Sequence, residues 1–124
     1  MMNRDEVNKG GIPYFKLRVL LRFEEAYKVF AGYCLETGNV VTADDMDTAI
    51  DIMKEVLEDE IYNAVKFENY GNLFSKPAPK SIWDSWYKLS KIKTPERMNL
   101  NPRIERVNLN DEETPTRVDL VSAQ

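Results

Sequence analysis

From Pro13 the stretch PYFKLRVLLRFEEAYKVFAGYCLETG runs without another proline, and its apolar positions 20, 23, 27, 30, 31 and 34 recur at the spacing of a helix face. The pattern predicts one long helix that starts at Pro13 and is capped by Gly38. Phe15, Val19, Tyr33 and Leu35 widen the apolar stripe, which implies burial on more than one side. Gly32 inside such a helix costs about 1 kcal/mol relative to alanine, and a close helix contact is the expected compensation. Asn39, Val40 and Val41 then read as a short extended connector.

A second pattern follows at once. Thr42 is the expected N-cap, with Asp45 as a short-armed capping acid. Met46, Ala49, Ile50, Met53, Leu57, Ile61 and Ala64 fall on one helical face, and Asp47, Asp51 and Glu55 recur at spacings of four on the other. This predicts an amphipathic helix ending near Val65 or Phe67. FENYGNLFSKPAPKS breaks the period with Gly71, Pro77 and Pro79 and reads as a loop. SIWDSWYKLSKI predicts a short third helix with Ser81 as N-cap and Ile82, Trp86 and Leu89 on one side. Beyond Ile92 the chain is polar, with three prolines and isolated apolar residues. Within it RIERVNL, carrying Ile104 and Val107, alternates and has the pattern of a strand that would join another sheet.

The expected fold is therefore mainly α: two long antiparallel helices plus a short third helix, with an extended N-terminal arm and C-terminal tail. The expected organisation is an arm over residues 1–11, a helical domain over 12–93 and an extended tail over 94–124. At 124 residues and 43% hydrophobic, the chain has the size of one domain with a modest core.

Charge and cysteine usage narrow the function classes. A formal charge of −4 argues against nonspecific duplex binding, whose affinity comes from Lys and Arg displacing phosphate counterions. It points to protein partners. Cys34, the single cysteine, has no internal disulfide mate and sits between Tyr33 and Leu35, where a free cysteine packs as a small hydrophobe. No apolar run reaches the length of a membrane span, and MMNRDEVNKGG lacks an apolar signal core. The expectation is a soluble intracellular protein with no membrane association, the virion and the nucleus being the compartments considered.

No chemical motif emerges. The acids of TADDMDTAIDIMKEVLEDE have helical spacing, with Ala49 and Ile50 where a calcium loop needs a ligand and its glycine. They read as a solvated face in which Asp47, Asp51, Glu55 and Asp59 repel one another, a cost that a basic partner would reverse. Histidine is absent, and with it the commonest general base and zinc ligand. No catalytic residue, cofactor or metal site is expected. Residues 76–93 carry a net +4 with Trp83, Trp86 and Tyr87, the ingredients of a single-strand nucleic-acid surface, although rings at helical spacing favour cores and protein interfaces.

One resemblance adds to this reading. The long helix ending AGYCLETG, the connector VV and the segment TADDMDTAIDIM resemble the second helix, second loop and third helix of the histone fold, over about Pro13 to Met53. Val41, Thr42, Asp45, Met46 and Ala49 fit the family pattern, while Val40 stands where its arginine belongs, and the family's first helix has no counterpart in residues 1–11. The resemblance implies helix pairing with another chain.

These readings converge on a non-enzymatic structural or scaffolding subunit of a larger assembly, of which minor capsid or cementing proteins are an example by architecture. Its partners would be other protein subunits in a homo- or hetero-oligomer. The expected partner-binding residues are Tyr27, Phe30, Cys34, Met46, Ile50, Met53, Leu57, Trp83, Trp86, Tyr87, Ile104 and Val107, beside an acidic docking face of Asp47, Asp51, Glu55 and Asp59. The alternatives are a histone-fold-like subunit of a transcription or chromatin complex, and single-stranded nucleic-acid binding through the Lys/Trp segment.

Overall fold

The computed structural model describes residues 15–100 and 116–122. FKLRVLLRFE, expected as the front of a helix, is strand β1 (Phe15–Glu24). Its side chains alternate between two covered faces, so that Leu17, Val19, Leu20 and Leu21 are each at most 1% exposed. A strand buried on both faces reads as a near-continuous apolar run, which is why its period was ambiguous. The chain reverses over 25–28, where the Tyr27 and Lys28 amides donate to the Glu24 carbonyl at 3.2 and 2.8 Å and Lys28 takes φ +57°. β2 (Val29–Cys34) returns antiparallel to β1. A second turn through Gly38, at φ +81°, leads into β3 (Val40–Ala43), again antiparallel.

Helix α1 spans Met46–Lys66. Asp45 rather than Thr42 caps it, accepting from the Thr48 amide at 2.8 Å, and Thr42 belongs to β3. Ala49, Met53, Leu57, Ile61 and Ala64 bury one stripe. Asp47, Asp51, Glu55 and Asp59 are exposed. A single turn, α2 (Tyr70–Leu73), lies in the expected loop. Helix α3 (Lys80–Ser90) begins at Pro79 without a side-chain cap, and Lys80 pairs with Asp84 one turn on at 2.9 Å. Two further strands follow, β4 (Glu96–Leu100) and β5 (Thr116–Ser122).

The five strands form one mixed sheet in the order β3-β2-β1-β5-β4, with β5 parallel to β1 and β4 antiparallel to β5. Leu17, Val19, Leu21, Cys34 and Val118 pack with α1 on one face. Leu20, Leu35 and Val121 pack with Ile82 and Trp86 of α3 on the other. The molecule is thus an α/β sandwich, which overturns the mainly α expectation. The first of the two long helices is a β-hairpin, and residues 96–100 and 116–122, placed in an extended tail, are paired strands. A helical body of the minor-capsid kind goes with it, and nothing in the fold supports a virion role. The histone-like reading needs a helix ahead of the VV connector, where the chain forms β1 and β2. The expected N-terminal arm, Ile104 and Val107 lie outside the described residues.

Candidate functional site

Three places among the described residues stand out by their polar or exposed groups. The first lies under α3. Arg18 of β1 donates from its amide to Glu36 Oε1 at 2.8 Å and forms an ion pair with the same carboxylate. Its guanidinium carbon sits 5.6, 5.5 and 6.0 Å from the ring centroids of Trp83, Trp86 and Tyr87. Burial pushes the Glu36 carboxyl above its ordinary range even though Arg18 opposes the shift. Trp83 Nε1 donates to the Ala78 carbonyl at 3.1 Å, and Trp86 is only 7% exposed with its Nε1 buried and unpartnered among the described residues. These rings are therefore spent on fastening α3 to the sheet. A base would have to displace that packing to stack on Trp86, and only Tyr87 of the three is largely open, at 46%.

The second is a polar cleft of about 600 Å³ at the C-terminal end of α1, lined by Thr37, Glu60, Asn63, Asn72 and Lys76 among others. Glu60 is already held by Asn39 Nδ2 at 2.9 Å. Among the described residues no three His, Cys, Asp or Glu side chains are grouped to hold a metal ion. Cys34 is fully buried, and burial pushes its thiol up to about 11, far from a nucleophile's range. No helix among the described residues is long and apolar enough to cross a membrane.

The third is the β3 edge. Cys34 donates to the Asn39 carbonyl at 2.9 Å, and the alternation of an antiparallel ladder then turns the N–H and C=O groups of Val41 and Ala43 toward β2 and those of Val40 and Thr42 outward. Among the described residues β3 has no neighbour on that outer side. Its sequence, VVTA, carries no charge, and Val40 is 57% exposed. The opposite edge, β4, displays exposed Glu96 and Arg97, the usual protection of a sheet border.

Alongside β3 runs a flank of α1. Ile52, Val56, Asp59 and Asn63 recur at helical spacing on one stripe beside the buried one, and Ile52 is 36% exposed. Asn63 on this stripe shares the cleft with Thr37, next to the β2–β3 turn, which places the stripe on the β3 side. On the other face of the sheet Tyr33 pairs directly with Val40. Tyr33 in turn donates to Glu24 and holds that carboxyl below its ordinary range, with Arg22 adding a 2.6 Å ion pair. The free edge is therefore bordered by Ile52 and Val56 on one face and by Val40 and Tyr33 on the other.

Of the residues expected to meet partners, Cys34, Met53 and Leu57 are fully buried in this chain's own core, and Phe30, Met46 and Ile50 are partly buried against it. Tyr27 is exposed at the β1–β2 turn. Sequence reading missed Val40, Thr42, Ile52 and Val56. The available signal was the β-branched run VVT beside an apolar residue off the main helical stripe. No protein-family model, curated protein or solved structure matches this chain.

Proposed function

We propose that the protein is a noncatalytic subunit of a protein assembly that joins a neighbouring chain through the β3 edge and the adjoining flank of α1. The observation that carries this reading is the contrast between the two borders of the sheet: one charged, the other uncharged with Val40 and Ile52 open beside it. An added strand would gain main-chain hydrogen bonds from Val40 and Thr42 and side-chain contacts on both faces.

The test is site-specific photocrosslinking in the cells from which the protein comes. A photoreactive residue in place of Thr42 is expected to give protein adducts, whereas the same residue in place of Arg97 on the far edge is not. Equal labelling at both positions, or none at Thr42, would remove the proposal.

A further inference from the structure

We infer that the chain bound at β3 is a second copy of this one, joined edge to edge about a two-fold axis midway between the two Val41 residues. The inference rests on the proposed function above and specifies its partner. Val40 and Thr42 are the residues whose backbone groups point outward, two positions apart with Val41 between them. An antiparallel partner centred on Val41 puts Val40 opposite the second copy's Thr42 and Thr42 opposite its Val40. Both are then closely hydrogen-bonded pairs, so this register uses every outward N–H and C=O of those two residues. Moving the axis by one residue either way leaves only one such pair within the strand, and a register slip of one residue leaves none. The strand is thus complementary to itself.

The helix supports the same axis. A Cβ on Gly32 would lie 3.2 Å from Val41 Cγ2 and 3.5 Å from Met53 Cε, so Met53 of α1 sits at the level of Val41. Ile52, its neighbour in sequence, turns to the β3 flank at that level. A two-fold axis between the two Val41 residues, perpendicular to the sheet, brings the two α1 helices to the same face with their Ile52 and Val56 side chains toward each other. The patch that one copy offers is the patch that the other needs, as an isologous contact requires. Asp47, Asp51 and Glu55 lie off this stripe, and Asp59, which is on it, sits about two helical turns beyond Ile52 and so away from the axis. The β4 edge, with Glu96 and Arg97, does not offer this uncharged self-match.

Sedimentation of the full chain decides the matter, read with hydrogen exchange. The expected mass at tens of micromolar is twice 14.4 kDa, with the Val40 and Thr42 amides protected. Thr42→Pro removes an outward donor and leaves the β2 ladder untouched, and Ile52→Glu places like charges at the axis. Each is expected to weaken the dimer at least tenfold and to release the Val40 amide, and Ile52→Glu to release the Thr42 amide as well, with the far-ultraviolet circular dichroism kept. Should one variant fail to fold, the other and the wild-type exchange pattern still decide. A monomer at 200 micromolar, or a dimer in which Val40 and Thr42 exchange freely, would overturn the inference. If the Thr42 photoadduct joins a different protein while the chain sediments as a monomer, the inference falls and the proposed function stands.

Discussion

Gly38, at φ +81°, would place a Cβ only 1.9 Å from the Lys76 carbonyl oxygen. Any side chain there meets both a strained backbone and the segment that carries the chain toward α3. Gly38→Ala is expected to cost about 2 to 4 kcal/mol, readable as a lower urea midpoint. Lys28 is the opposite case, a side chain at φ +57° in an exposed turn, paired with exposed Glu25. Lys28→Gly should stabilise by roughly 0.5 to 1 kcal/mol, because the lost surface pair is worth little. Cys34 ties stability to alkaline pH. Its thiol is held protonated in the fold up to about 11 against 9.0 when free, so its contribution is whole below pH 9 and drains away between the two values. The loss amounts to roughly 2 kcal/mol at pH 11. Cys34→Ala should lack that increment when urea midpoints at pH 7 and pH 11 are compared with the wild type.

At the scale of the element, one cation adds to the packing of Ile82 and Trp86 that holds α3 on the sheet. Arg18 pairs with Glu36 and lies against three rings, and its side chain is 27% exposed, so its removal strands a buried carboxylate and loosens the aromatic cluster. Arg18→Ala is expected to cost about 2 to 3 kcal/mol and to red-shift tryptophan emission, with Arg18→Lys intermediate because an ammonium lacks the planar stack. Unchanged emission in Arg18→Ala would mean that Ile82 and Trp86 hold α3 without it. Elements differed in how well they could be read. The stripe of Ala49, Met53, Leu57 and Ile61 and the wet acids opposite it were legible because α1 is covered on one side only. β1 was not, since Leu20 points to the α3 face between Val19 and Leu21 on the α1 face. The hairpin turn that would have broken the helical pattern, Glu25 to Lys28, contains neither glycine nor proline. Gly38 was rightly read as a break, and the element it ends is a strand pair instead of a helix.

For the whole molecule, the decisive contact is the least local one. β5 lies between β1 and β4, with Phe15 in register with Thr116, and Val118 and Val121 are buried on opposite faces. Nothing in the local pattern announces a pairing across that separation, so a short alternating segment after a proline-rich stretch read as tail. The same distance hid the candidate interface, because β3 becomes a border only once β1, β5 and β4 have filled the other side of β2. A chain ending at residue 115 should lose its cooperative urea transition and its near-ultraviolet circular dichroism, since it lacks an interior strand. Retention of both would mean that β1, β2 and β3 form an independent folding unit.

The parallel match of β1 with β5 also has a consequence during synthesis. The hairpin and α1 leave the ribosome early, yet the flank of β1 destined for β5 stays unsatisfied until residues 116–122 have been translated. Throughout that interval the nascent polypeptide offers two adhesive borders instead of one, and neighbouring chains on the same messenger are held at high local concentration. A chaperone that shields the open side of β1 would therefore be most needed late in translation, and its dwell on the nascent chain should end when β5 emerges.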